Sequence, residues 1–457
     1  MKEQLSRRAC VQALCGGLGG VGLSAILASN TASAATAGHY AGPALAPKAK
    51  HVIFIFLSGG PSQLDMFDRK PMLAKYEGQR PNAVANFRTE RETGGLLPSP
   101  FIFKKYGRNG VDVSELLPNI ASVIDDVCVV KSVHTFNPTH GQGKNLAHSG
   151  SILANRPTMG AWVSYGLGTE NENLPAFVVL TGNPGGGSLW RAGFLPAEHQ
   201  GVAFNPSEPE PEKMIRDLRN RQMDAPAQRK QLDLIQSLNR EHRAGFGADA
   251  FLDGRIKAME AAYRVQFEAL DVFDLRKEST AMREEYGDNG YGNSCLMARR
   301  LVEKGVRYIH IYPDAGNDWD DHKEIFKNLR GRCPKMDQAT ATLIRDLKRR
   351  GLLDETLIVW GGEFGRTPVS EAADGRDHNP YGYTMLLAGG GVKGGIAYGE
   401  TDEFGFRAVE NRVSIHDMHA TILHLLGMDH EKLTYRYAGR DFRLTDVHGQ
   451  IVRDILT

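Results

Sequence analysis

Cysteine is scarce, with five in 457 residues. Cys10 and Cys15 fall in the N-terminal segment. Cys128, Cys295 and Cys333 stand too far apart for a zinc motif or a disulfide framework, which leaves them as buried or free thiols. An excess of charge of one sign is also missing. The 55 Lys and Arg against 54 Asp and Glu leave a formal net charge of +1, so there is no electrostatic case for nucleic acid or an acidic membrane surface. Beyond the N-terminus no run approaches the roughly 18 apolar residues that a spanning helix needs, and no membrane span is expected in the mature chain. There is no phosphate-cradling Walker sequence and no dinucleotide fingerprint. The glycines of "AGGGVKGG" (388–395) follow no first strand–helix turn and read as a surface hairpin. Internal repeats are absent.

What is present begins with Arg7 and Arg8, a weakly apolar Gly-rich stretch, and Ala32-Ser33-Ala34. The pattern reads as a twin-arginine export signal over 1–34. It predicts delivery by the twin-arginine machinery to the periplasm or otherwise outside the cytoplasm; a disordered basic tail is the plainer reading. Residues 35–49, rich in Ala, Gly and Pro, read as a linker.

From residue 50 onward, continuously apolar, β-branched runs alternate with helical patterns. "HVIFIFL" (51–57), "VCVVKS" (127–132), "AFVVL" (176–180), "VRYIHIY" (306–312), "TLIVWG" (356–361) and "YTMLLA" (383–388) read as buried strands. Helices are predicted over 293–305, 336–351 and 416–427. The alternation predicts an α/β domain over 50–457, its sheet covered on both faces. Residues 205–290 are charged, helical in pattern and nearly strand-free, a helical insertion or lid.

Polar groups gather after the strands. The first is followed by "SGGPSQLDMFD", with Asp65 and Asp68 close behind the turn. The second leads to His134, His140, Lys144, Asn145, His148 and Ser149. The fourth leads to Asp314, Asp318, Asp320, Asp321 and His322, a carboxylate crowd that repels itself unless solvated or joined by a cation. The fifth carries Glu363 and Arg366. Asp377-His378 precede the sixth, and His416, Asp417 and His419 open the last helix. Singly, each has a plain reading as a cap, a surface salt bridge or a packed ring. Together they follow consecutive strands, whose ends converge on one crevice in an α/β sheet. Oxygen and nitrogen donors without thiolate suit a divalent metal, with Zn, Mn, Ca and Mg all open.

Several stretches, among them "LSGGPSQLDMFDRKP", "CLMARRLVEKGVRYIHIY", "GLLDETLIVWGGEFGRTP" and "GRDHNPYGYTMLLAGGGVKGGIAYGETDEFG", resemble the domain of unknown function 1501 family. These are exported sulfatase-like proteins of the alkaline phosphatase and sulfatase superfamily. The resemblance runs from about residue 50 to the C-terminus. It implies a central mixed, mostly parallel sheet sandwiched by helices, with a metal-assisted site at the strand ends. It also implies metal ligands among Asp65, Asp320, His322, Glu363 and His378, with Phe364 standing where the superfamily has a His. His140 falls on the nucleophile position and Lys144 on its Arg; Arg366 joins them as a catalytic candidate. No Cys or Ser stands at the nucleophile position, which departs from an orthodox sulfatase.

Two functions follow as expectations. One is an exported metal-dependent hydrolase of sulfate or phosphate esters, acting on a sulfated or phosphorylated small molecule or glycan, possible polysaccharide chemistry included. The other is a non-catalytic exported binding or assembly protein on a degenerate sulfatase-like fold.

Overall fold

In the computed structural model the described residues run from Gly42 to Thr457, without 43, 86–88, 90, 183–188, 208–210, 215–223, 247–253, 255, 258–259, 261–269 and 314–315. The export signal and most of the linker lie outside them.

Nine strands form one sheet. In chain order they are β1 (His51–Phe56), β2 (Val127–His134), β3 (Phe177–Thr181), β4 (Val202–Phe204), β5 (Tyr308–Tyr312) and β6 (Thr356–Gly361). A separate antiparallel hairpin comes next, β7 (Gly365–Glu371) and β8 (Gly375–Asn379). The sheet resumes with β9 (Tyr383–Ala388), β10 (Ile396–Tyr398) and the short β11 (Val413–Ser414). The order is β10-β2-β9-β6-β1-β5-β3-β4, with β11 also on β2. Every pairing is parallel except those of β9 with β2 and β6. The sheet is mixed and mostly parallel, as the resemblance implies.

The unbroken apolar strands are explained by two cores, one on each face. Val52, Phe54 and Phe56 of β1 pack with Trp162, Met418 and Leu423. The intervening Ile53 and Ile55 pack with Leu296, Leu343 and Ile344. A strand with both faces covered has no polar face to alternate with. The first core faces α1 (His140–Ser149), α2 (Met159–Leu167) and α6 (Ile415–Leu425). The second faces α4 (Gly290–Glu303) and α5 (Ile325–Arg349). Helix α5 starts well before the predicted 336 and holds Pro334 inside it. Between β4 and α4 the described residues are helical or loop, including the long α3 (Ala225–Phe246), on which Leu234 and Leu238 are exposed.

Two expectations are corrected. Residues 388–395 are not a surface hairpin: they carry the chain past the end of β2, from β9 on one side to β10 on the other. Asp377 and His378 do not merely precede a strand but lie within β8. Cys128, Cys295 and Cys333 are free and buried, and burial pushes the Cys128 and Cys333 thiols up to about 12.

Candidate metal centre

The C-terminal ends of β1, β2, β5 and β6, with the hairpin β7–β8, meet at one edge of the sheet. His140 opens α1 shortly after β2. Asp320 and His322 lie in the loop after β5, Glu363 just past β6, and His378 on β8. Gly59 allows the close approach. It holds φ +119°, and a Cβ there would stand 2.6 Å from the Asp320 backbone nitrogen.

Three imidazoles surround the Asp320 carboxylate. His322 Nε2 is 2.8 Å and His378 Nε2 3.0 Å from Oδ1, and His140 Nε2 is 3.1 Å from Oδ2. Each ring is held by its other nitrogen: His140 Nδ1 by Glu363 Oε1 at 2.7 Å, His378 Nδ1 by the Pro138 carbonyl at 2.7 Å, and His322 Nδ1 by Glu371 Oε2. A carbonyl can only accept, so His378 carries its proton on Nδ1. The carboxylates fix His140 and His322 the same way when those rings are neutral. The Nε2 lone pairs then converge. His140 Nε2 and His322 Nε2 are buried and lack an aligned hydrogen bond despite their nearness to Asp320. Buried nitrogens in that condition fit a cation. The ligand atoms of His140, Asp320, His322 and His378 lie within 4.8 Å of one another. Three nitrogens and one carboxylate suit Zn or Mn; Ca and Mg prefer all-oxygen shells.

The electrostatics agree. Burial opposes ionisation of Asp320, but the three imidazoles and Arg366 outweigh it and hold the carboxyl far below the usual range. Burial also opposes protonation of His140 and His322. Asp320 with Glu363, and Asp320 with Glu371, outweigh it and raise both rings. The protein is thus arranged to hold positive charge at this point.

The other sequence-derived candidates lie elsewhere or act differently. Asp65, expected among the ligands, is not in the cluster: it is fully buried against Arg376, 3.0 Å from Nε, and accepts the Ser62 hydroxyl at 2.5 Å. Glu363 stands behind His140 and accepts the Gly59 N–H at 3.0 Å. Arg366, 0% exposed, is no open catalytic group; it donates to Asp320 Oδ1 at 2.7 Å and to the carbonyls of Gly60, Trp319 and Arg376. Asp377 does not hold the His378 ring. Its oxygens accept the backbone N–H groups of His378 and Arg91. Phe364 stacks on His378 at 4.6 Å and lies 5.0 Å from His140, an apolar wall on that side. Lys144, one turn after His140, donates to Asn317 Oδ1.

His148, His416 and His419 serve α1 instead. His148 Nδ1 donates to the Lys144 carbonyl at 2.6 Å, and its Nε2 accepts the Tyr312 hydroxyl at 2.6 Å. His419 and His416 donate to the carbonyls of Ala147 and Gly150, near the end of the helix. Asp68 pairs with Lys70 and Asp321 with Arg332. Asp314 lies outside the described residues. Glu371, Asn317 and the Pro138 carbonyl were not anticipated, since no local pattern marks a residue whose partner is this distant in sequence.

A mixed α/β sheet with a histidine-rich, cation-ready cluster at one edge defines the class. Residues 49–456 match the family described as "Protein of unknown function (DUF1501)", and the chain belongs to it. No curated protein matches. Among solved structures it is similar to Ps i-CgsB in complex with k-i-k-neocarrahexaose, with 12% identity and TM-score 0.36 over 82% of this chain and 72% of that one. The PsFucS1 sulfatase from Pseudoalteromonas sp. gives 13% and 0.35 over 83% and 68%. The alkaline phosphatase from the Antarctic bacterium TAB5 gives 10% and 0.32 over 75% and 92%. At such low scores none of these likenesses bears on the chemistry, which rests on this chain's own residues.

Proposed function

We propose that this chain is an exported metal-dependent hydrolase of sulfate or phosphate esters, sulfatase-like, acting on a sulfated or phosphorylated small molecule or glycan. The observation that carries the reading is the convergence of three anchored imidazoles on Asp320, with His140 Nε2 and His322 Nε2 buried and without an aligned hydrogen bond. His140, His322, His378 and Asp320 would hold one Zn or Mn; bound there, the cation supplies polarisation of an ester oxygen. Glu363 and Glu371 orient rings, Arg366 fixes Asp320, and Phe364 offers no ligand for a second ion beside His378. Elemental analysis of the purified protein and of His378→Ala tests this: about one equivalent is expected in the wild type and a marked loss in the variant. Less than about a tenth of an equivalent after Zn or Mn loading, with no thermal stabilisation, removes the reading.

The non-catalytic alternative keeps the cation and lacks turnover. It is favoured by one feature: His140, at the expected nucleophile position, has both ring nitrogens facing carboxylates. A metal-loaded protein that binds esters without releasing product decides for it.

A further inference from the structure

We propose that Arg156, resting on Phe442 and Phe194, captures the carboxylate of a uronate sugar in a small cavity at the far end of α1 from the histidine cluster. The site is separate from the cation site and does not depend on it.

Four chain segments build the cavity. Helix α1 ends at Ser149, and Gly150 caps it with φ +65°. A Cβ on Gly150 would collide with the Leu444 carbonyl oxygen, so glycine lets the 443–446 turn close over the helix end. On the approach to α2, the Thr158 N–H donates to the Arg191 carbonyl at 3.2 Å, which sets Arg156 beside Phe194. A small antiparallel hairpin, Tyr435–Tyr437 with Arg440–Phe442, supplies the last wall. Phe194 stacks on its Tyr437 at 4.9 Å and 14°, and lies 5.0 Å from its Phe442. The space between these segments is about 50 Å³, lined by Ser149, Ser151, Arg156, Phe194, Phe442 and Asp446 among others.

Arg156 is the group without an acceptor. Its guanidinium carbon lies 4.2 Å from the Phe442 ring centroid and 5.9 Å from that of Phe194. It is half-buried and makes no hydrogen bond or ion pair among the described residues. The rings hold the guanidinium by its face, which leaves the N–H donors on its edge for a ligand. Neighbouring cations are spent: Arg440 pairs with Asp446, Arg443 with Glu431 at 3.3 Å and Arg436 with Asp441 at 3.2 Å. The positive charge left over at the cavity is therefore that of Arg156. A cation at the histidine cluster adds little to it. His140 and Ser149 stand at opposite ends of α1, about 14 Å apart along the axis, against a screening length of about 8 Å at physiological salt.

Size and donors select the group. At roughly 10–15 Å³ for each water held, the cavity takes a few water-sized atoms, so a carboxylate fits and a whole sugar ring does not. Two carboxylate oxygens meet the guanidinium fork in one plane. A sulfate brings a third free oxygen, for which the walls have little to give. The Ser149 hydroxyl donates to the Asn145 carbonyl at 2.7 Å, Arg443 Nε donates to the Asp446 carbonyl, and the Asp446 carboxylate only accepts. The ring bearing the carboxylate stays outside, where Tyr437 is 49% exposed against Phe194. An exposed aromatic ring receives the C–H face of a pyranose, and a uronate carries acid and ring in that relation.

The test is calorimetric titration of the full-length mature protein, once metal-stripped and once loaded with Zn or Mn. The probes are a galacturonate oligosaccharide, its methyl ester, a sulfated neutral oligosaccharide of the same length, and a peptide with a free C-terminal carboxylate. The uronate is expected to bind alike in both forms of the protein, and the methyl ester about tenfold more weakly or worse. Arg156→Gln should weaken uronate binding about tenfold or more. Arg156→Lys should do much the same, because an ammonium has no fork and does not stack as a plane. Tyr437→Ala, at an exposed position, should weaken it about threefold. Metal content stays unchanged in all three. Should Arg156→Gln fail to fold, Tyr437→Ala and the methyl ester carry the test. Equal binding of the methyl ester overturns the proposal, as does tighter binding of the sulfated or peptide probe. A lowered melting temperature in Arg156→Gln with unaltered uronate binding makes Arg156 a hairpin anchor only, and overturns it too. So does no uronate binding at all, or binding confined to the metal-loaded form, which would place the sugar at the cluster. A wild type that takes up no Zn or Mn but binds the uronate removes the functional reading above and upholds this site.

Discussion

His378 and Arg366 stand opposite one another across the β7–β8 ladder and both reach Asp320 Oδ1, which lies 3.0 Å from His378 Nε2 and accepts from Arg366 at 2.7 Å. The hairpin thus presents an imidazole and a guanidinium to the same carboxylate from adjacent strands. Arg366 fixes that oxygen in the interior, while Oδ2 faces His140. Asp320→Asn removes the charge around which the three rings gather. Metal stoichiometry should fall by at least half. Arg366 is 0% exposed and loses its counter-charge, keeping only backbone carbonyl acceptors, so stability should also drop, by about 3–5 kcal/mol. Elemental analysis with denaturant melts checks both. Full metal occupancy in Asp320→Asn would assign the cation to other residues.

Cation preference follows from the donor set. Zn or Mn should raise the melting temperature of the metal-stripped mature protein, with a stabilisation of about 2.7 kcal/mol at a hundredfold excess over Kd. Ca or Mg at the same concentrations should do far less, because imidazole nitrogens suit them poorly. An equal response to Ca would favour an oxygen-rich site elsewhere.

Asp65 gives a contrast. Its carboxylate pairs with Arg376, and both side chains are fully enclosed. Asp65→Asn leaves a buried guanidinium without its counter-charge and should cost about 3–5 kcal/mol, with metal stoichiometry unchanged in whatever fraction remains folded. Loss of metal at unchanged stability would return Asp65 to the ligand set.

These residues also mark where sequence ceased to be legible. The main-sheet strands were readable because burial on both faces leaves an uninterrupted apolar run, as in His51–Phe56 and Tyr383–Ala388. The hairpin was not. Arg366, Thr367, Arg376, Asp377 and His378 are polar yet buried, and their burial is balanced by pairing with groups far along the chain. Arg376 and Asp65 are separated by 311 positions. No periodicity encodes such a partner. His140, Asp320 and His322 could be nominated because each follows an apolar strand, and His378 because it precedes one. That Glu363 stands behind the His140 ring while Asp320 sits among the three imidazoles required the geometry.

Export is tested separately, through Arg7 and Arg8, which lie outside the described residues. Replacing both with Lys should hold the precursor in the cytoplasm, read by cell fractionation. Unchanged delivery would remove the twin-arginine assignment and leave the site untouched.

The last prediction concerns acid stability and the rings beneath α1. His148 and His310 are buried, stacked at 4.7 Å with an interplanar angle of 8°, and tied to Tyr312. Burial brings His148 down to about 4 and His419 to about 3, and holds His310 well below its ordinary value. Unfolded, each ring titrates near about 6.5. The folded pKa is therefore the lower one, and the unfolded chain binds more protons as pH falls. Stability from these rings is complete above about pH 6.5 and is lost on acidification, by about 1.4 kcal/mol per pH unit for each ring. For His148 the loss continues down to about pH 4. His140 and His322, with raised pKa values, act in the opposite sense when no metal is bound, so the difference between two proteins is the clean observable. Urea melts of wild type and His148→Gln between about pH 6 and 5 should give slopes differing by about one proton, the variant being the less pH-sensitive. Parallel slopes would mean that His148 is already protonated in the folded protein, and the assignment of its Nε2 as acceptor from Tyr312 would have to be abandoned.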